Sequence, residues 1–383
     1  MSSAVEIIEC QTPAQHRQFI TFAWEIYKNN PFWVPPLISE RMTFYDKAKN
    51  PFFEHSDAAL FMARRNGRIV GTIVAILNNR HNQFHHETTG FFGGFEVIND
   101  FEVARALLDT ARDWLKARGM TVMRGPTTLS FNDETGLLIE GFDKPPRVLM
   151  PYNPPYYAEL LERYGFQKAM DLYAWWVDTQ TAAANRLEQL QRIAAGVQRR
   201  KNFVVRNADF KQLPREVAAL KRVYASETGA WSANWGHVPM TDRELDHVVN
   251  GLKQFADPDF IFIAEVNNEP VGIAVSLPDV NQALRLAYPR PNQLELWTLL
   301  KFLWYRRRVN AVRFILFGTL PEYRTSGIET LLIYKTLEAV QRRGYIGGEL
   351  GWVLETNDAL NRINRAAGAT IDKVYRVYDL PIG

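Results

Sequence analysis

One hairpin pattern occurs twice in this chain, and that recurrence constrains the fold more than any other feature. ALFMARRNGRIVGTIVAILN (59–78) is two alternating apolar strands that turn at Asn66-Gly67. FIFIAEVNNEPVGIAVSLP (260–278) repeats the pattern and turns at Asn267-Asn268. Asn and Gly are the residues that accept the positive φ a tight hairpin demands. Alignment sets Val70-Gly71 opposite Val271-Gly272. Further on, a helix ending in Tyr164-Gly165-Phe166 answers one ending in Ala367-Gly368-Ala369, at nearly the same distance from the first glycine. Between these marks each half carries a strand, a long amphipathic helix (100–118 and 327–343) and a strand leading to Asn-Asp, at 132–133 and 357–358. Matching elements in matching order are the signature of two copies of one α/β unit.

A charge of +3 and a pI near 8.8 are too weakly basic to imply nucleic acid, yet they suit an anionic cofactor. Cys10 is the single cysteine, so neither an intrachain disulfide nor a multi-cysteine metal site can form. It lies in VEIIEC, which reads as a strand rather than as the setting of a nucleophile. The N-terminus lacks a basic region followed by an apolar core, and no apolar run is long enough for a bilayer, so the expected location is the cytoplasm.

The most informative stretch is FGTLPEYRTSGIETLLIYKTLEAVQRRGY, residues 317–345: a strand end, a short polar turn and a long helix. Ile328, Leu331, Leu332, Tyr334 and Leu337 recur at helical spacing; Gln341, Arg342 and Arg343 precede the stop at Gly344. Arg324, Thr325, Ser326 and Gly327 sit where the first N–H groups of the helix point outward, at the positive end of its dipole. Such a turn can hold an anion, above all a diphosphate. An ordinary strand–turn–helix with a capping serine is the alternative.

Leu320, Pro321, Glu322, Tyr323, Arg324, Gly327 and Ile328 resemble the acyl-CoA signature of the GNAT-type N-acyltransferases, Arg/Gln-x-x-Gly-x-Gly/Ala after a strand ending in x-Pro. The order of strands and helices extends the resemblance over almost the whole chain. It implies an α/β (α+β) fold of two tandem GNAT-like domains, each a mixed central sheet flanked by helices. The implied division is a first domain over 1–180, a connecting helix over 181–201, and a second domain over 202–383. The resemblance also implies acetyl-CoA or a longer acyl-CoA as co-substrate and no metal. Leu320, Arg324, Thr325, Ser326, Gly327, Ile328 and Asn357 are then the cofactor contacts. Two positions depart from the signature: Glu329 replaces its last small residue, and Thr325 stands where glycine is common.

The copies are unequal. GGFEVINDFEVARALL (93–108) has no Arg-x-x-Gly, and Glu96, Asp100 and Glu102 surround the expected helix start. Asp100 reads as an N-cap, and three carboxylates are wrong for a diphosphate, so the first copy is expected to have lost CoA binding. It keeps NPPYYAELLERYGF (153–166), similar to a later helix motif of the family. Prolines at 31, 35 and 36 predict irregular backbone across 29–42, with Phe32 and Trp33 stapling it to the core. Arg199, Arg200 and Lys201 read as the solvated end of the linker, within reach of a phosphate at most.

The second copy carries an insertion, LRLAYPRPNQLELWTLLKFLWYRRRVN, residues 284–310. It is apolar and aromatic from Leu294 to Tyr305 and ends in Arg306, Arg307 and Arg308. A core helix is one reading; an in-plane membrane helix through 292–308, or a lid over a lipid chain, is the other.

Acyl transfer from a thioester to an amine requires a polarised carbonyl, an ammonium that loses its proton, and a thiolate that can leave. By resemblance the carbonyl is met by a backbone N–H near the end of the cofactor strand, and Leu320 is the candidate because Pro321 has none. Glu355, closing ELGWVLE, is the candidate base, and an exposed strand-end charge is its plain alternative. Asn364 stands where the family's tyrosine acid would be, so Tyr375 or Tyr378 would substitute, or the thiolate would leave unprotonated. His81, His85 and His86 read as a polar loop, an acceptor-pocket element or, least of all, a metal site. His237, in SANWGHVPMTDRELDHV, falls where the family places acceptor loops. The functional expectation is an acyl-CoA-dependent N-acyltransferase acting on a small-molecule or lipid-like amine, in its sharpest form a sphingoid base as in the bacterial ceramide synthases. The alternative is a catalytically inactive acyl-CoA sensor or scaffold.

Overall fold

The computed structural model describes residues 4–179, 191–197, 203–225, 229–231, 234–324 and 326–383. Thr325, Arg199, Arg200, Lys201 and most of the 181–201 connection lie outside the described residues. Of the connection, 191–197 is helical. Contacts divide the chain into one unit of residues 1–172, 283–307 and 373–383 and another of 173–282 and 308–372. Two of the four boundaries between them fall within long strands, Gln167–Asp178 (β7) and Thr370–Pro381 (β13).

The first unit is built on β1 (Glu6–Glu9), β2 (Asp57–Arg65), β3 (Arg68–Leu77), β4 (Thr89–Val97) and β5 (Val122–Gly125). The order is sequential: β1/β2, β2/β3 and β3/β4 are antiparallel and β4/β5 is parallel. On the far side of β5 the end of β13 pairs antiparallel, Tyr378 opposite Gly125, and β6 (Leu137–Glu140) pairs with β13. The second unit repeats the plan with β8 (Phe203–Asn207), β9 (Ile261–Val266), β10 (Glu269–Pro278), β11 (Ala311–Thr319) and β12 (Gly347–Leu354). Again the first three pairings are antiparallel and the last, β11/β12, is parallel. In each copy a long helix joins the parallel strands: Phe101–Lys116 in the first, Ile328–Arg342 in the second. The duplication read from the hairpins is therefore a duplication of sheet topology.

Both hairpins turn where expected, with Asn66 and Gly67, and Asn267 and Asn268, at φ between 52° and 75°. The paired glycines have one physical role. A Cβ on Gly71 would lie 2.7 Å from Leu107 of the first long helix. A Cβ on Gly272 would lie 3.2 Å from Ile328 and 3.3 Å from Leu332 of the second. Each glycine lets its helix approach the sheet closely. Leu107, Leu108, Ala111 and Leu115 are fully buried on the first sheet, and Ile328, Leu332, Leu337 and Val340 form the matching stripe on the second.

Two expectations change. The 29–42 stretch is not irregular throughout, because Ile38–Phe44 is helical once the chain clears Pro35-Pro36. Trp33 is buried as expected and stacks on Tyr27 with ring centroids 4.7 Å apart. The insertion, expected within the second domain, has its contacts in the first unit. The Trp24 indole donates to the Pro289 carbonyl at 2.8 Å, Arg17 to that of Pro291 at 2.8 Å, and Ser39 to the Glu295 carboxylate.

Candidate functional site

In the second unit β11 and β12 are in register from Ala311/Gly347 to Phe314/Leu350, and there the pairing stops. The two strands continue apart, and β11 carries a one-residue bulge at the same level, Ile315 lying between the partners of Val275 and Ser276. A pocket opens where the strands separate. Its walls come from β11 (Phe314, Ile315, Phe317) and β12 (Leu350, Gly351, Trp352, Val353). Trp231, Ile333, Leu360 and Asn364 complete the lining. Nearly every wall is apolar. The exception is Asn364, 2 % exposed, whose Nδ2 has no hydrogen-bond partner among the described residues. A buried amide without a partner is strongly disfavoured unless something supplies an acceptor.

The backbone of β11 adds donors. Leu320 N–H donates to the Val271 carbonyl at 2.9 Å, so the donor expected at Leu320 is engaged with β10. Antiparallel ladders alternate, so Gly318 and Leu316 face β10 as Leu320 does, while Phe317 and Thr319 turn toward the side that β12 has left. The N–H that borders the pocket is thus on Phe317, a correction of three residues.

The mouth of the Ile328–Arg342 helix is tighter than the sequence implied. Arg324 N–H donates to the Pro321 carbonyl at 3.3 Å, Ser326 N–H to that of Tyr323 at 2.9 Å, and Ile328 N–H to Ser326 Oγ at 3.3 Å. Of the expected amide donors in the described turn, Gly327 alone keeps its N–H free of a bond to another described residue. Gly327 has φ 89°, a left-handed conformation suited to glycine, and a Cβ there would meet Val197 at 2.6 Å. Arg324 is exposed at the mouth, with Nη2 donating to the Ala230 carbonyl at 3.0 Å. Glu329 leans back to the strand end and accepts from Thr319 Oγ1 at 3.0 Å. Burial raises its pKa, opposed by that hydrogen bond and by Arg324.

Asn357 caps the helix Asp358–Ala366, its Oδ1 accepting from Leu360 N–H at 3.1 Å. Glu355 follows β12 and does not line the pocket. Tyr378 donates to Glu162 at 3.0 Å, within the first unit. His81 is buried, its Nε2 3.2 Å from Glu87, and burial lowers its pKa to about 4. His237 is buried with its ring against Tyr224, 5.5 Å between centroids.

The first copy differs at the matching places. Asp100 caps the Phe101–Lys116 helix by accepting from the N–H groups of Glu102 and Val103, and Arg65 pairs with Asp100 at 2.6 Å. That helix mouth is satisfied by its own side chains. Glu96, expected beside it, is instead enclosed by tyrosines: Tyr157 donates to it at 2.8 Å and Tyr27 at 3.2 Å. Burial raises the Glu96 pKa to about 8. Sequence reasoning missed the Phe317 amide, the unpartnered state of the Asn364 amide and the tyrosine cage; in the sequence Asn364 itself reads only as standing in place of the family's tyrosine. Counting alternate residues back from Pro321 would have flagged the first; no local signal marks the others.

No family model matches the chain. It is 34% identical to Protein YghO of Escherichia coli (strain K12) over 374 residues, 96% of this chain and 93% of the relative. It is 34% identical to the bacterial ceramide synthase of Caulobacter vibrioides over 382 residues, 98% and 97% of the two chains. Among solved structures, a tandem GNAT protein from the clavulanic acid biosynthesis pathway superposes with a TM-score of 0.54 at 14% identity, covering 99% of each chain. The strand order is the same in both halves and the fold is that of a tandem GNAT protein; with a match to these two relatives along nearly its whole length, the chain belongs to the acyltransferase family that includes Protein YghO and the bacterial ceramide synthase.

Proposed function

We propose that the second unit binds an acyl-CoA and transfers its acyl group to a primary amine, and that the amine is lipid-like, a sphingoid base being the sharpest candidate. The observation that carries this reading is the pocket at the β11/β12 separation, apolar but for the unpartnered Asn364 amide and bordered by the Phe317 N–H. The thioester lies there. The amine nitrogen attacks the carbonyl carbon, and the Phe317 N–H takes the developing oxyanion. As the tetrahedral intermediate collapses, the C–S bond breaks and its electron pair leaves on sulfur. Asn364 Nδ2 donates a hydrogen bond to the thioester group, which compensates for the missing tyrosine acid; a thiol of pKa about 8.5 leaves acceptably as its anion. The ammonium proton passes to Glu355 through water.

The CoA diphosphate is placed at the helix mouth, on the Gly327 amide and the exposed Arg324, with Thr325, Ser326, Ile328 and the Asn357 amide group as the remaining candidates from the sequence. The identity with a bacterial ceramide synthase supports a long acyl chain and a lipid-like acceptor over acetyl transfer to a small metabolite. Peripheral contact with a membrane through 292–308 belongs to the same reading.

Isothermal titration with CoA tests it. Binding weakened by Arg324→Glu is expected; no binding, or binding indifferent to that change, overturns it. Thiol release with a panel of amines and acyl-CoAs reads turnover, and Glu355→Gln should abolish it. The second reading, an inactive acyl-CoA sensor, is favoured by the engaged amides of Arg324, Ser326 and Ile328. Binding without turnover for any amine would select it.

A further inference from the structure

The helix Glu295–Tyr305 is inside out. Its inward stripe is Thr298 and Phe302, both buried, flanked by the half-buried Glu295 and Tyr305. Everything else it presents to solvent is apolar except Lys301. Leu294 is 73% exposed, Trp297 59% and Trp304 64%, and Leu296, Leu299, Leu300 and Leu303 lie exposed beside them. A soluble helix of this length normally turns such residues inward, and a contiguous exposed patch of this kind marks a surface that something covers.

Two features fix what covers it. The first is charge. Arg306 and Arg307 follow the helix directly and are exposed, Arg307 resting over the Trp304 ring at 4.1 Å, and Lys301 lies exposed on the helix itself. The helix's one acid, Glu295, is turned to Ser39. A cationic border would repel a second copy of the same face, and it complements an anionic one. The second is anchorage. Glu295 accepts from the Ser39 amide at 3.1 Å, and Arg285 donates to the Pro31 carbonyl at 3.1 Å, so the segment is held within the first unit with its apolar side outward. It is preformed and does not need to fold when it docks.

We infer that this helix lies in the plane of an anionic lipid bilayer, with Trp297, Leu300 and Trp304 in the acyl boundary and Lys301, Arg306 and Arg307 at the headgroups. No helix among the described residues is long and apolar enough to cross the membrane, so contact is by this one face.

Flotation of the full chain with phosphatidylcholine vesicles, with and without phosphatidylglycerol, tests this. Binding to the anionic vesicles is expected. It should fall about tenfold in Trp297→Glu/Trp304→Glu and, separately, in Arg306→Glu/Arg307→Glu, and the second loss should mimic high salt. All these side chains are exposed, and a CoA titration of each variant verifies the fold and reads the transferase proposal independently. Failure of the wild type to float, or equal flotation by the variants, overturns the inference. So does a concentration-dependent dimer in sedimentation that Trp297→Glu/Trp304→Glu dissolves, because the face would then be covered by a second copy.

Discussion

Thr319 Oγ1, at the last residue of β11, donates to Glu329 Oε1 at 3.0 Å in the first turn of the following helix. The bond ties the strand end to the helix mouth and draws back the one carboxylate that would oppose a diphosphate. Burial holds the Glu329 pKa above its usual value, so the group ionises as pH rises through the range above that value. Affinity for CoA should therefore fall with rising pH beyond what the ligand's own titration explains. Glu329→Gln should flatten this dependence and tighten binding at alkaline pH by about 1 kcal/mol, roughly fivefold. Titration calorimetry across pH reads both; an unchanged pH profile in the variant would exclude Glu329 as the group responsible.

Asn364 separates stability from function. Replacing its unpartnered Nδ2 with an apolar group of similar size removes a desolvated donor, so Asn364→Leu should leave melting unchanged or raise stability by about 1 kcal/mol. If that donor serves the thioester, turnover should drop by about tenfold or more, in kcat rather than KM. Thermal melts and thiol-release kinetics on one preparation give both numbers. Loss of stability with unaltered turnover would assign Asn364 to the scaffold.

Gly327 is constrained twice, by its φ of 89° and by Val197, which lies 2.6 Å from where a Cβ would sit. Gly327→Ala should destabilise by about 1–3 kcal/mol and weaken CoA binding. Adding Val197→Ala should return the steric part and leave the conformational part. A double-mutant cycle in chemical denaturation measures the coupling.

Glu96 gives a stability signature in the first unit. Its folded pKa is raised to about 8 by burial, so the folded state binds a proton that the unfolded chain releases at ordinary carboxylate pH. The penalty is absent at low pH, grows as pH rises from about 4.5, and levels off above about 8. Glu96→Gln should keep the tyrosine contacts and show its advantage only toward alkaline pH, where it should gain a few kcal/mol relative to wild type. Melting temperatures on the acid and alkaline sides of this window decide it; a constant offset between the two proteins would contradict it.

The sequence by itself determined the architecture, because its signals are local and repeated. Asn66-Gly67 and Asn267-Asn268 favour turns, alternating apolar residues set the strands on either side of them, and the two helical-period stripes set the long helices. Those constraints act within a few residues of the chain and survive in any tertiary context. What only the tertiary structure decided depends on partners far apart in sequence. Leu320 looked like a donor until β10 claimed its N–H. Glu96 looked like part of a helix mouth until Tyr27 and Tyr157, from two distant segments, closed around it. The 284–310 segment could be read as core or as surface, because an apolar helix does not record which face is covered. Burial of Thr298 and Phe302 left Trp297 and Trp304 in solvent, and that choice, invisible in composition, makes the helix an exposed apolar surface rather than core.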